Sequence, residues 1–208
     1  MPDPAARELD DRMISARQAL IELVEGNRRF AEGRPDPHVV QPSVRAALLD
    51  GQEPIAVVLG CVDSRVPPEV VLDQGVGDLL TVRTAGHSLA GVALGSIEFG
   101  VRVLEVPLVV VLGHTGCGAV LAAMRDDHAD GHLGELTGEV ASRLTDVIGD
   151  DPVWATGANL QATVDALREL GTLTASDGPA VVVGVLYDMG TGLVTVTDDG
   201  GLLEGHPH

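Results

Sequence analysis

Cys61, His114 and Cys117 are the side chains whose types and places could do chemistry together. A short apolar run at residues 55–59 leads straight into Gly60-Cys61-Val62-Asp63-Ser64-Arg65. A second run at 107–112 leads into Gly113-His114-Thr115-Gly116-Cys117-Gly118. The chain has only 2 cysteines, too few for a disulfide framework, which leaves buried fillers, a redox pair or metal ligands. Two thiolates and an imidazole suit zinc, which takes such ligands tetrahedrally at ~2.3 Å for sulfur and ~2.0–2.1 Å for nitrogen. Three protein ligands leave the fourth position to water or substrate, the pattern of a catalytic site. Zinc with two thiolates and a neutral imidazole is formally neutral, so it should acidify bound water less than an all-imidazole set would. Asp63 and Arg65, close together in the first loop, can form a bidentate ion pair beside such a centre. His87, His128 and His132 have no comparable strand-end placement.

The elements that must position these loops follow from the hydrophobic pattern. Continuous, β-branched apolar runs at 55–59, 79–82, 107–112 and 180–186 read as strands buried on both faces, as in parallel sheets. Helical spacing marks 15–32, 88–104, 134–148 and 154–170. Ser15 can cap the first of these, and Gly33 with Pro35 can end it. Residues 34–42 hold three prolines and read as an extended arm. The run at 193–197 pairs back after a glycine turn as a hairpin. The expected fold is therefore α/β: a mainly parallel central β-sheet flanked by helices, with an N-terminal helical arm and a C-terminal β-hairpin. In such sheets, ligands gather outside the carboxyl ends of the strands, where both motif loops fall.

Composition narrows the partners. All 13 basic residues are Arg, against 31 Asp and Glu, for a net charge of −18, and aromatics make up 2% of the chain. That balance excludes nucleic acid, which asks for basic grooves and stacking platforms. A hydrophobic share of 45% with a mean hydropathy of +0.22 argues for a folded chain. A length of 208 residues suggests one domain, with helix and arm at about 1–45 and an α/β core at 54–198. The N-terminus lacks a signal-peptide pattern, and the longest apolar run falls far short of the ~20 residues of a membrane span. The expectation is a soluble cytoplasmic protein acting on a small substrate, with no membrane and no nucleic acid.

Cys61-Val-Asp-Ser-Arg65 followed by His114-Thr-Gly-Cys117-Gly resembles the paired signature of the β-class carbonic anhydrases of bacterial type. Weaker likenesses flank it: Gly26-Asn-Arg-Arg-Phe30, Gly77-Asp78, Arg83-Thr-Ala-Gly86, Gly95-Ser-Ile-Glu-Phe99, and Gly184-Val-Leu-Tyr-Asp188 with Gly192. The resemblance implies reversible hydration of CO2 to bicarbonate and a proton through zinc-bound hydroxide, with one Zn2+ per chain on Cys61, His114 and Cys117. It also implies that Asp63 orients the nucleophile while Arg65 holds its carboxylate. Gln52 and the backbone amide of Gly118 would donate to the substrate oxygen, and Leu80, Ala85 and Phe99 would wall the CO2 pocket. By periodicity alone those last three are simply core. The family builds its site at the interface of a homodimer, often paired into tetramers. Its members occur in an open state, with Asp63 on Arg65, and a closed state, with Asp63 as the fourth zinc ligand.

Three departures from the family pattern matter. His87 stands where the family often has Asn; it reads as a partly exposed loop residue or as a proton relay. Phe99 replaces a common Tyr. Val58 replaces the Trp of members that carry an inhibitory bicarbonate site. Two other functions remain open on the same residues: hydrolysis of COS or CS2, and a non-catalytic zinc-stabilised scaffold or bicarbonate sensor. Asp63, Arg65 and Gln52 together favour catalysis, because a scaffold needs only the metal ligands.

Overall fold

The computed structural model describes residues 14–36, 41–125, 130–144, 151–176 and 178–203. Helix α1 (Ala16–Ala31) starts where expected: Ser15 and Gln18 form a reciprocal capping box, and the helix ends before Gly33, at φ 67°. A short helix α2 (Pro42–Ala47) follows residues 37–40, the part of the proline-rich arm that lies outside the described residues. The remaining elements alternate: β1 (Ala56–Gly60), α3 (Pro68–Val71), β2 (Leu79–Arg83), α4 (Gly91–Arg102), β3 (Leu108–His114) and α5 (Gly118–Met124). Then come α6 (Gly131–Ser142), α7 (Pro152–Glu169), a two-stranded ribbon of β4 (Thr174–Ala175) and β5 (Gly178–Pro179), β6 (Val181–Tyr187) and β7 (Val194–Asp198).

The main sheet has the order β2-β1-β3-β6-β7, with β7 antiparallel to β6 and the other neighbours parallel. The expected mainly parallel sheet, flanking helices and C-terminal hairpin are present. Every residue of β1 and β3 is buried, because helices cover both faces. Alternate residues point to opposite sides. Val58, Val110 and Leu112 pack towards Leu20 and Leu23 of α1. Val57, Leu59, Val109 and Val111 pack towards Ile97 and Val101 of α4 and Leu160 and Val164 of α7. Buried Asn27 ties α1 to the terminal hairpin: its Nδ2 donates to the Val71 and Gly192 carbonyls, and its Oδ1 accepts from the Val194 amide.

Boundaries differ from the sequence reading at the helices. The second long helix begins at Gly91, because residues 85–87 form a tight turn with Gly86 and His87 both at positive φ. The third runs Gly131–Ser142, starting three residues early and ending, with Arg143 as its cap, short of the expected 148. Helices α2 and α3 were not legible, being four to six residues long with proline at their starts. No helix among the described residues is long and apolar enough to cross a membrane.

Candidate metal centre

Sheet register brings the two motif loops together. Gly60 pairs with Leu112, so Cys61 leaves β1 beside Gly113 and His114 at the end of β3. Cys117 then stands at the N-cap of α5, reached through Gly116 at φ 66°, a backbone state open to glycine at little cost. The Sγ atoms of Cys61 and Cys117 lie 3.9 Å apart. A ligand atom from each of Cys61, His114 and Cys117 falls within 4.8 Å of the other two, and all three residues are buried. A tetrahedral centre with metal–sulfur bonds of ~2.3 Å would hold its two sulfurs about 3.8 Å apart.

The histidine is prepared in the same way. Nδ1 of His114 lies 3.1 Å from the Thr115 carbonyl, which places the proton on Nδ1 and leaves Nε2 as a bare acceptor. That Nε2 is buried with no hydrogen-bond partner, a costly state unless something else binds it. Thr115 is itself anchored: its amide donates to the Tyr187 carbonyl and its hydroxyl accepts from the Met189 amide. The two sulfurs share one hydrogen bond, which favours a thiolate on Cys61, well below the ordinary thiol range, and pushes the Cys117 thiol up. Backbone amides of Gly86 and Asp63 also favour the Cys61 thiolate, as those of Ala119 and Val120 favour that of Cys117. This donor set fits zinc.

Beside the sulfurs, Arg65 grips Asp63 in a fork: Nε to Oδ1 at 2.9 Å and Nη2 to Oδ2 at 2.6 Å, with the Arg65 amide also on Oδ1 at 2.9 Å. The guanidinium holds this carboxyl well below the usual range, against the opposing effect of partial burial. This is the Asp–Arg paired arrangement. Arg83 braces the same loop from β2, donating to the carbonyls of Cys61 at 2.7 Å and Asp63 at 2.6 Å. The sequence reading gives Arg83 no role, because its partners are backbone carbonyls on a neighbouring strand's loop.

A model of the carbonic anhydrase family matches residues 56–194. Carbonic anhydrase 2 of Mycobacterium tuberculosis is 40% identical over 190 residues, covering 85% of this chain and 90% of that protein. The chain belongs to the β-carbonic anhydrase family. The carbonic anhydrase of Mycolicibacterium smegmatis is 53% identical over 106 residues, 49% of this chain and 50% of that protein. Among solved structures, one of two tetrameric β-carbonic anhydrases from Sordaria macrospora aligns with a TM-score of 0.64 at 25% identity, over 76% of this chain and 87% of its own. A β-carbonic anhydrase from Coccomyxa, in complex with acetazolamide, shares the fold with a TM-score of 0.65 at 24% identity, over 86% of each chain. Membership makes the chain an enzyme of the carbonic anhydrase class, whose general reaction is CO2 hydration.

The other β-carbonic anhydrase positions divide. Gly118 opens α5, exposed, next to Cys117; Leu80 is half-buried near the start of β2, paired with Val57, and Ala85 is half-buried just past the end of that strand. Phe99, expected in the core by periodicity, is 48% exposed on the outer face of α4. Gln52 is also exposed and precedes β1, whereas Cys61 follows it. The five-residue strand between them spans about 17 Å, so one chain does not bring Gln52 to its own sulfurs. His87 differs most from expectation, being buried rather than partly exposed. Its Nε2 faces the Leu112 carbonyl at 3.0 Å and its Nδ1 faces Asn159 Nδ2 at 3.3 Å. With both nitrogens committed inside the fold, a proton-relay role has no support in this geometry. His128 lies outside the described residues. His132 sits on α6, its ring nitrogen 3.1 Å from Glu135.

Proposed function

We propose that this protein catalyses the reversible hydration of CO2 to bicarbonate and a proton, using one Zn2+ per chain held by Cys61, His114 and Cys117. The observation that carries the reading is the orphaned, buried Nε2 of His114 turned towards two sulfurs 3.9 Å apart, with an Arg-locked carboxylate alongside. Bound zinc supplies the Lewis acidity that makes water a nucleophile near neutral pH.

The chain's own residues do the rest. Asp63 accepts a hydrogen bond from the attacking water and so aims its lone pair at the carbon. Arg65 keeps that carboxylate ionised and fixed, which a point-charge ammonium would do less well. The Gly118 amide donates to the substrate oxygen. Neutral CO2 is insensitive to the acidic surface, whereas the anionic product is repelled by it.

The active unit is a homodimer, with tetramers as its further assembly. Two observations support this. Gln52, the remaining expected donor, is remote from the sulfurs of its own chain and can serve only those of a partner. The outer face of α4 carries Val92 and Phe99, 85% and 48% exposed, beside the edge strand β2. A second copy covering that face would turn Phe99 into a pocket wall.

Stopped-flow CO2 hydration by zinc-loaded protein tests the reading, with Cys61→Ser as control. Zinc-dependent turnover that disappears in the control is expected. No hydration across about pH 6.5–9, a window around and above the histidine range, overturns it.

A further inference from the structure

Arg83 ends β2, paired with Gly60 at the end of β1. Its side chain turns back over the loop beyond β1 and makes two short bonds, both to backbone carbonyls of residues in the candidate centre. Among the described residues no carboxylate pairs with it. The residue between those carbonyls, Val62, is 55% exposed, so side-chain packing contributes little to holding the turn. A guanidinium presents its donors in a rigid planar fork, so two such bonds set both the spacing and the angle of the carbonyls they bind. Arg65 orients the Asp63 side chain from within the loop, but Arg65 is itself 59% exposed and moves with that loop. Arg83 is anchored elsewhere, on a strand of the sheet.

We infer that Arg83 is a positioning residue of the hydration reaction: by tying the Cys61 and Asp63 carbonyls to the end of β2, it keeps the aspartate carboxylate in fixed relation to the metal-binding sulfur. The inference rests on the zinc hydratase reading above. Arg83 touches neither metal nor substrate in this role, and it acts through the backbone of two residues that do.

The test uses zinc-loaded Arg83→Ala and Arg83→Lys proteins beside the wild type. Hydrogen exchange of peptides covering residues 61–66 reads the brace directly, whether or not the protein is active. Exchange there should quicken by about tenfold or more in Arg83→Ala, with α7 and β6 unchanged. Turnover should fall about 10- to 100-fold, the usual effect of losing an outer-shell partner, with KM within about twofold. Added methylguanidinium should restore part of the turnover, and Arg83→Lys should fall between the two. Wild-type exchange at 61–66 overturns the brace. Accelerated exchange with wild-type turnover overturns the link to catalysis. A slowed enzyme that methylguanidinium does not rescue and that exchanges faster throughout its core marks Arg83 as a general stability residue, and so overturns the proposal. An inactive wild type would fail the hydratase reading while the exchange result still decided the brace; Arg83→Lys serves if Arg83→Ala does not fold.

Discussion

Nδ2 of Asn159, on α7, lies 3.3 Å from Nδ1 of His87, a residue 72 positions earlier at the turn after β2. The same amide donates to the Gly86 carbonyl at 3.1 Å. Since Nε2 of His87 must donate to the Leu112 carbonyl, Nδ1 is the acceptor and the imidazole is neutral. Burial drives its pKa down to about 4, which keeps it so at physiological pH. Side chains from α7 and the turn thus close around the backbone that faces the Cys61 sulfur.

His87→Ala should therefore cost stability rather than proton transfer. The substitution strands a buried carbonyl and a buried amide, opens a cavity and puts alanine at φ 61°. Together these should amount to about 2–4 kcal/mol. Chemical denaturation measures that loss. Turnover per folded, zinc-loaded chain at low buffer concentration should match the wild type; a fall reversed by added imidazole would reinstate the relay. His87→Asn, which tolerates the left-handed backbone, should be the milder change.

Asp63→Asn should separate metal binding from catalysis. The amide keeps the shape but loses the charge that Arg65 grips and the acceptor that aims the water. Zinc content should stay at one per chain, while turnover should fall about 10²–10⁴-fold, the range for a lost positioned acid–base group. Arg65→Lys should lose less, because one hydrogen bond replaces the fork. Metal analysis beside stopped-flow rates checks both. Loss of zinc from Asp63→Asn would mean that the loop, not the carboxylate, was damaged.

Stability at low pH has a separate source. Arg168 on α7 forks onto Asp198 of β7 with two bonds of 2.7 Å, and Gln161 and the Gly200 amide add two more at 3.0 Å. The Arg168 guanidinium holds the Asp198 carboxyl well below its ordinary range, with partial burial opposing. A depressed folded-state pKa contributes stability above the unfolded value of about 3.9, and that contribution is lost as pH falls through and below it. After allowance for solvent screening, Asp198→Asn should cost about 1 kcal/mol at neutral pH. The gap to wild type should narrow steadily below about pH 4. Denaturation curves at several pH values test this, with Glu53→Gln, an exposed site, controlling for the change in net charge. A gap independent of pH would point to packing instead.

The sequence made the sheet legible because buried parallel strands must be continuous apolar runs, and the runs at β1, β3 and β6 are just that. It made the metal ligands legible because strand ends in one sheet meet in space, so Cys61 and His114 could be paired before any coordinates. What stayed hidden depended on contacts that periodicity does not encode. Helix α4 is apolar on two faces: Ile97 and Val101 lie on its own sheet, whereas Val92 and Phe99 face outwards. A 3.6-residue repeat cannot say which face its own core takes. His87 reads from the sequence as a partly exposed loop residue because its burial depends on Asn159, far along the chain. Arg83 was passed over because its partners are carbonyls, which leave no mark in a sequence.

Placing Gln52 in a partner's site gives a prediction that needs no structure of the dimer. A chain carrying Cys61→Ser cannot hold its metal but still offers Gln52. A chain carrying Gln52→Ala holds metal but offers no amide. Each variant alone should be inactive or severely slowed. In a mixed dimer, the metal-holding chain receives Gln52 from its partner, so one of the two sites is complete. Co-expressed and separately tagged chains, purified as the heterodimer, should recover about half the wild-type turnover per dimer. If Gln52 served its own chain, both sites in the mixed dimer would be defective and no activity would return. A monomer at working concentrations, shown by sedimentation, would remove the partner altogether.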